Sequence, residues 1–168
     1  GGYGMKGQVY PEEVLVAWAA RKLNRPVKWT SDRSEGLSSD MHGREQSTEA
    51  QLALDLDGRI LAMRALTTIN VGAYLGYSGG TAPMNAGTRY ASVYEIPVIH
   101  TVVRATFTNT CPVGPYRGSG KPEASFVIER LIDKAMREMS IDPIAMRRQN
   151  LVPTSAMPHR TPNGHVYD

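Results

Sequence analysis

The first apolar pattern of the chain has the spacing of a helix. Pro11-Glu12-Glu13 opens this helix, because proline suits the first helical turn and acidic side chains complement the positive end of the helix dipole. Asn24 and Pro26 predict that the helix ends near Leu23. Its apolar side chains fall on one face, namely Val14, Leu15, Trp18 and Ala19.

A period of two begins at Arg44 and predicts the first of two paired strands. Apolar side chains share one face, namely Ala50, Leu52, Leu54 and Leu56, while Glu49, Gln51 and Asp55 share the other. Asp57-Gly58 then predicts a tight hairpin turn, because both central residues tolerate positive φ. The second strand is predicted from Arg59 to Val71.

The longest helical periodicity predicts a helix from Lys121 to about Met139. Pro122 and Glu123 occupy its first turn, and its apolar stripe consists of Ala124, Val127, Ile128, Leu131, Ile132, Ala135 and Met139. Asp142-Pro143 predicts the cap and start of a shorter helix that ends near Asn150.

The remaining segments are shorter. They predict a strand at Val27–Thr30, a polar loop after it, a glycine-rich loop from Gly72 to Gly80, a short helix within Pro83–Tyr94 that Gly87 weakens, a strand at Val98–Thr108 and an irregular tail at residues 151–168. Residues 1–168 together predict a single two-layer α+β domain, with packed helices and a mixed, or wholly antiparallel, β-sheet.

Composition narrows the function. The 168 residues are 41% hydrophobic and 21% charged, as in a globular domain, and no apolar stretch is long enough to predict a membrane span. The net charge of +3 favours an anionic ligand somewhat over nucleic acid. The single cysteine excludes an internal disulfide and predicts a reducing, cytoplasmic location. The glycine-rich start without methionine predicts a segment excised from a longer polypeptide, the alternative being a trimmed chain.

Three places combine glycine with a charged or aromatic side chain, and each has a plain structural alternative. Residues 1–7 could approach an anion through backbone amides, or they are a flexible end. Residues 116–120 precede the long helix, where amides of Gly118 to Gly120 and the side chain of Arg117 could bind an anion, or Ser119 simply caps the helix. Arg44 orients a substrate carbonyl or carboxylate, or it is solvated.

Other reactive side chains predict no site. The four histidines lack the spacing of a helical zinc site, although a chelate between His159 and His165 stays open, and no metal ligand is predicted. Cys111 has no identifiable partner and is interpreted as a small core or loop residue. The carboxylates of the polar loop are interpreted as solvated rather than as a catalytic pair, namely Asp32, Glu35 and Asp40.

A set of short motifs, in a fixed order over nearly the whole chain, resembles the molybdenum hydroxylases, the family of xanthine dehydrogenase, aldehyde oxidoreductase and the large subunit of carbon monoxide dehydrogenase. The first is the glycine loop Gly1-Gly2-Tyr3-Gly4-Met5-Lys6. The others are Arg25-Pro26-Val27-Lys28-Trp29, Asp32-Arg33-Ser34-Glu35, Asp57-Gly58-Arg59-Ile60-Leu61-Ala62, Asn70-Val71-Gly72-Ala73-Tyr74, Tyr94-Glu95-Ile96-Pro97, Thr108-Asn109, Tyr116-Arg117-Gly118, Pro122-Glu123-Ala124 and Arg148-Gln149-Asn150.

The resemblance implies a molybdopterin cofactor, in its cytosine dinucleotide form, with 2Fe-2S clusters and FAD on partner subunits. It implies hydroxylation of an aldehyde or an N-heterocycle with oxygen from water. The cofactor contacts implied are Gly2, Tyr3, Gly4, Arg117 and Gly118, and the substrate contacts are Arg44 and Ser119. The family's catalytic glutamate lies outside this segment, so the segment alone is expected to be inactive. The implied partners are an iron–sulfur subunit, an FAD subunit, the remainder of the large subunit and a small-molecule substrate.

Three departures from the family pattern bear on the substrate. Gly7 stands where purine oxidisers carry a substrate-binding glutamate, and Ser119 stands where they carry an aromatic clamp. Gly118 stands where carbon monoxide dehydrogenases carry a copper-ligating cysteine, and glycine has no ligand atom in its side chain. These departures argue against xanthine and carbon monoxide. Three alternatives stay open: a non-catalytic scaffold domain, an enzyme like carbon monoxide dehydrogenase without that cysteine, and a stand-alone phosphate-binding module.

Overall fold

The computed structural model describes residues 2–168, so Gly1 of the first glycine loop lies outside the described residues. Its main sheet has three strands in the order β1-β2-β3, namely β1 (Gln46–Leu54), β2 (Ile60–Gly72) and β3 (Val98–Phe107). β1 pairs with β2 in antiparallel fashion and β3 pairs with β2 in parallel. The sheet is therefore mixed, which confirms the predicted α+β class.

Within residues 2–168, five helices accompany the sheet. They are α1 (Pro11–Leu23), α2 (Arg33–Ser39), α3 (Thr81–Arg89), α4 (Lys121–Met139) and α5 (Pro143–Asn150), with 3-10 turns at Met5–Gly7 and Thr154–Ala156. The predictions for α1, α4 and α5 are confirmed. Asp142 caps α5, because its Oδ1 accepts hydrogen bonds from the amides of Ile144 and Ala145 at 3.0 and 2.8 Å.

The core lies between the sheet and α3, α4 and α5. The predicted stripe of α4 supplies Ala124, Ile128 and Ile132, each at most 1% exposed. Buried residues of β2 and of the segment after α3 meet them, including Ile60, Met63, Tyr90 and Ile96. The side chain of Asn150 links the end of α5 to the start of β2 at one end of the core. Its Oδ1 accepts a hydrogen bond from the Ile60 amide, and its Nδ2 donates to the Gly58 carbonyl.

The hairpin between β1 and β2 is confirmed, but its turn differs from the prediction. The Gly58 amide donates to the Asp55 carbonyl at 3.1 Å, so Leu56 and Asp57 are the central residues. Gly58 adopts φ 86°, whereas Asp57 does not take a positive φ. Leu56 was predicted on the apolar face and is 97% exposed, because the turn begins before it and carries it away from the sheet.

The region between α1 and β1 corrects two predictions. Val27–Thr30 forms no strand and pairs with none of β1, β2 and β3; a favourable local composition becomes a strand only where a partner strand pairs with it. The segment predicted as a polar loop contains α2. Asp32 starts that helix through a reciprocal capping box, in which the Glu35 amide donates to Asp32 Oδ1 and the Asp32 amide donates to Glu35 Oε2.

The apolar face predicted for α1 is uncovered in the described part of the chain. α1 contains no buried residue, and the side chains of Val14, Leu15 and Trp18 are 58%, 59% and 58% exposed. Within residues 2–168, no helix is long and apolar enough to cross a membrane. The tail at 151–168 carries a small antiparallel ladder, in which β4 (His159–Arg160) pairs with β5 (Val166–Tyr167).

Candidate functional site

The two glycine-containing loops, far apart in sequence, meet at one surface. The rings of Tyr3 and Tyr116 stack with centroids 6.2 Å apart. The guanidinium carbon of Arg117 lies 5.7 Å from the centroid of Tyr3. The structure therefore brings together the residues that the resemblance named as cofactor contacts. Tyr3 and Tyr116 are 50% and 44% exposed, and Arg117 and Gly118 are exposed as well, so this surface is open to a ligand.

Gly4 explains how the first loop approaches the second so closely. Its φ is 106°, in the region that favours glycine. A Cβ placed on Gly4 would lie 2.0 Å from the carbonyl oxygen of Pro115. The first loop therefore needs glycine here to pack against the backbone of the second loop.

The second loop reaches α4 through three consecutive residues at positive φ. Gly118, Ser119 and Gly120 have φ values of 97°, 39° and 88°. The Ser119 amide donates to the Tyr116 carbonyl at 2.7 Å, and the Lys121 amide donates to the Gly118 carbonyl at 3.1 Å. The amide of Ser119 is thus used inside the loop, contrary to the expectation that it points outward.

Ser119 does not cap α4 as the structural alternative predicted. The N-cap position is Gly120, and no side chain caps the helix. The hydroxyl of Ser119 is buried and has no hydrogen-bond partner among residues 2–168. A buried hydroxyl without a partner costs free energy unless another molecule completes its hydrogen bonding. This observation fits a site that is completed by a further group.

Arg44 reaches the second loop because the chain before it pairs with the chain before Tyr116. The His42 amide donates to the Pro112 carbonyl at 3.1 Å, and the Gly114 amide donates to the His42 carbonyl at 2.8 Å. Arg44 itself has φ 64°, an uncommon value for a residue with a side chain. This backbone directs its side chain toward the loop at Tyr116.

The guanidinium of Arg44 makes three contacts. Its Nη2 donates to the carbonyl oxygen of Arg117, and its carbon lies 4.6 Å from the ring centroid of Tyr116. Its Nε lies 3.6 Å from Oε1 of Glu123. Arg44, Tyr116, Tyr3 and Arg117 therefore form a ladder across the two loops, in which two stacked aromatic rings lie between two cationic side chains.

Sequence reasoning missed the role of Glu123. It appeared there as an acidic residue in the first turn of α4, which is an ordinary helix-start position. In the structure only 8% of its side chain is exposed, and its Oε2 has no hydrogen-bond partner among the described residues. A buried carboxylate beside an arginine indicates a role in the site more strongly than a position in the first turn of a helix does. Only the fold brings Glu123 and Arg44 together, so the sequence did not show this contact.

Several cavities lie near these loops, and two of them border Gly7 or Arg44, which the family pattern singled out. One of about 430 Å³ borders Arg44 and Glu123 and is lined further by Thr48, Phe126 and Val127. A larger one of about 570 Å³ lies beside Gly7 and is lined by Tyr10, Met41, Tyr74 and Tyr77. Only the first of the two includes a residue predicted to contact the substrate, namely Arg44.

Cys111 and His165 make contacts within the fold. The Cys111 thiol donates to the Ser38 carbonyl at 2.8 Å. His165 Nε2 lies 3.1 Å from Arg89 Nη1, and burial, helped by the charges of Arg89 and Lys121, lowers the pKa of His165. Across residues 2–168, no group of three or more histidine, cysteine or acidic side chains could hold a metal ion.

Comparison with known proteins gives consistent matches over the whole chain. Residues 1–151 match the family described as the molybdopterin cofactor-binding domain. The chain is 40% identical over 159 residues to the 6-hydroxypseudooxynicotine dehydrogenase complex subunit gamma of Paenarthrobacter nicotinovorans, a match that covers 94% of this chain and 20% of that protein. It is 36% identical to the nicotine 6-hydroxylase large subunit of the same organism, over 100% of this chain and 21% of that protein.

A solved structure extends the match to the fold. The chain resembles quinoline 2-oxidoreductase from Pseudomonas putida 86 with a TM-score of 0.95 and 34% identity, covering 99% of this chain and 22% of that one. The chain therefore spans about one fifth of the length of the relatives that it matches.

Proposed function

This chain belongs to the molybdopterin cofactor-binding domain family, and from that premise we propose that it forms one wall of the cofactor site in the large subunit of a molybdenum-containing oxidoreductase. The observation that carries the proposal is the contact between the two loops, in which Tyr3 and Arg117 lie side by side on an exposed surface. The segment holds only part of that site, so on its own it does not turn over substrate.

Five residues form the proposed contact with the cofactor, namely Gly2, Tyr3, Gly4, Arg117 and Gly118. The glycines let the backbone approach a bulky group where longer side chains would clash. Arg117 presents several N–H donors that suit the oxygen atoms of an anionic group. The unpartnered hydroxyl of Ser119 supports the same location, because a bound group can complete its hydrogen bonding.

When bound, the cofactor supplies the redox chemistry by which a substrate C–H and water become C–OH, protons and an electron pair. The two loops would hold the cofactor through the backbone of Gly2, Gly4 and Gly118 and the donors of Arg117, and preorganised donors of this kind can stabilise developing negative charge. The cytosine dinucleotide form of the cofactor is part of the proposal. In the proposed complex, 2Fe-2S clusters and FAD on partner subunits would accept the electron pair, and the remainder of the large subunit would supply the catalytic carboxylate. A cytoplasmic location stays a prediction.

The proposed substrate is an N-heterocycle, with an aldehyde as the second candidate. The names of two similar proteins, a nicotine hydroxylase and a quinoline oxidoreductase, specify heteroaromatic substrates and support the first class. Arg44 and Ser119 are the proposed substrate contacts. Because Gly7 brings no carboxylate and Ser119 no aromatic ring, the purine-binding pattern of the family is incomplete here.

Carbon monoxide oxidation is the weaker alternative. Gly118 has no side chain to ligate copper, and the lone thiol of Cys111 is hydrogen-bonded to Ser38 instead. A scaffold role is the other alternative, and it predicts that Arg117 is dispensable for cofactor content.

Metal analysis of the full-length subunit tests the proposal. Arg117→Ala removes the donors that face the proposed cofactor. Because hydrogen bonds to charged groups contribute substantial binding free energy, we expect the variant to retain the cofactor roughly tenfold less tightly. Arg104→Ala, at an exposed position on β3, is the matched control and should retain molybdenum. Unchanged molybdenum content and turnover in Arg117→Ala would favour the scaffold.

A further inference from the structure

We infer that Glu123 is a positioning residue, which holds Arg44 against the turn at Tyr116 and Arg117 and cancels the charge that Arg44 would otherwise offer to a ligand. The first part concerns the fold of the site alone. The second part rests on the proposed function and extends it, because it selects uncharged substrates over anionic ones.

Arg44 acts as a clamp on the second loop. It donates to the backbone carbonyl of Arg117 and covers the ring of Tyr116. Gly43 makes this approach possible, because a Cβ there would lie 2.9 Å from Cβ of Tyr116. Since the Arg117 side chain extends from the clamped backbone to the ring of Tyr3, Arg44 sets the position of both loops.

Glu123 holds the side chain of Arg44 in this position. Its carboxylate is almost completely buried, and a buried carboxylate requires a nearby cation. Arg44 Nε is that cation, 3.6 Å from Oε1. Oε2 has no hydrogen-bond partner among residues 2–168, so no donor in the described chain competes with Arg44 for this carboxylate. Attraction to Glu123 therefore restrains the direction of the Arg44 side chain.

Both residues border the cavity of about 430 Å³. A free arginine would attract a carboxylate or phosphate into this space. Paired with Glu123, Arg44 still offers N–H donors from its partly exposed side chain, 34% of which is accessible, but the pair carries no net charge. Phe126 and Val127 add apolar wall. An uncharged ring with a hydrogen-bond acceptor suits this space better than an anion.

Hydrogen–deuterium exchange of the full-length protein tests the clamp without using activity. Glu123→Gln keeps the shape of the side chain and removes its charge. We expect amide exchange across residues 116–121 to become roughly fivefold faster. This is the size of effect that is usual when the interaction between two residues in direct contact is lost. Glu138→Gln, at an exposed position paired with Lys134 on the same helix, is the control and should not change it. Unchanged exchange in Glu123→Gln would overturn the inference.

A double variant separates the ion pair from general damage to the fold. If Glu123 acts through Arg44, adding Glu123→Gln to Arg44→Gln changes exchange across residues 116–121 no further. Additive effects would mean that Glu123 acts through another contact, and the inference would then be wrong.

Charge selectivity tests the second part on the holoenzyme. Nicotinamide and nicotinate are similar in shape and differ in charge, so the ratio of their inhibition constants reports the charge at Arg44. We expect Glu123→Gln to shift this ratio roughly fivefold toward nicotinate and Glu138→Gln to leave it unchanged. An unshifted ratio would overturn the selectivity. A wild-type protein without molybdenum would instead overturn the proposed function, while the exchange result would still decide the clamp.

Discussion

The guanidinium carbon of Arg117 lies 5.7 Å from the ring centroid of Tyr3, although these residues belong to loops that are far apart in the sequence. Tyr116 lies between them and Arg44, so each aromatic ring of the ladder has a cation beside it. Contacts of this kind between exposed side chains are individually weak. The arrangement of these side chains therefore depends on the packing of the two loop backbones beneath them.

Gly4→Ala should separate the two loops. The new Cβ would collide with the Pro115 carbonyl oxygen, and φ 106° is strained for alanine, at a cost of about 1–3 kcal/mol before the clash is counted. We expect a lower melting temperature and a loss of molybdenum from the full-length subunit. Gly7→Ala is the matched control, since its Cβ would meet no atom within 4 Å. Equal molybdenum content in the two variants would contradict this account.

Asn150→Ala should destabilise the core near the hairpin turn. The Asn150 side chain bonds the Ile60 amide at 2.8 Å and the Gly58 carbonyl at 2.9 Å, and both bonds are buried. Leaving these groups without partners costs about 2 kcal/mol or more. Denaturant unfolding measures this loss. Gln149→Ala removes only the exposed bond to the Asp57 carbonyl, so a loss as large as that of Asn150→Ala would argue against burial as the cause.

Acid should weaken the contact between α4 and α5 through Asp133. The hydrogen bond from Arg147 is the main cause that lowers the pKa of Asp133 below its ordinary value of 3.8. Because the pKa is lowered by folding, the stabilisation is present above about pH 4 and is lost as the pH falls through the folded-state pKa. Unfolding measured from pH 6 to pH 2 should show a shallower acid limb in Arg147→Gln.

The exposed Arg148 gives the control for this prediction, since it lies on the same helix. Arg148→Gln should retain the full acid dependence. If both variants flatten the acid limb alike, net charge rather than the Arg147 hydrogen bond controls it.

His165 should make the attachment of the tail dependent on pH. Burial is the main cause that lowers its pKa, and Arg89 and Lys121 add repulsion toward the charged form. The folded state therefore favours neutral His165, so this stabilisation is present above the ordinary pKa of 6.5 and is lost as the pH falls through the lower folded-state value. The protection of residues 159–167 against exchange, taken relative to the intrinsic amide rate at each pH, should fall on acidification, and His165→Gln should remove that dependence. The exposed His100→Gln should preserve it.

The elements with strong local signals could be predicted from the sequence. The stripe of α4 buries Ala124, Ile128 and Ile132 as its spacing predicts, and the alternation of β1 matches its observed burial. α2 was missed although Asp32 and Glu35 carry a capping-box pattern, because the many polar residues there favoured a loop. Val27–Thr30 failed for a different reason: a short run of strand-forming residues becomes a strand only where it pairs with a neighbouring strand, and local sequence does not indicate that pairing.

The candidate site shows the same limit. The family resemblance indicated Tyr3, Arg44 and Arg117, but not how they touch. The contact between Arg44 and Glu123 joins the start of β1 to the start of α4, and neither residue carries a local signal for the other. The resemblance indicated Gly4 as a cofactor contact, but it did not indicate that the missing side chain also lets the backbone of Pro115 approach. Such roles arise only from tertiary packing.

The exposed apolar face of α1 affects how the isolated domain behaves in solution. Three large apolar side chains, those of Val14, Leu15 and Trp18, are exposed within about one turn of one helix. Side chains placed in this way favour association with any similar surface. A preparation of residues 1–168 by itself should therefore aggregate as its concentration rises, and replacing Trp18 with lysine should restore a monodisperse sample without loosening the core.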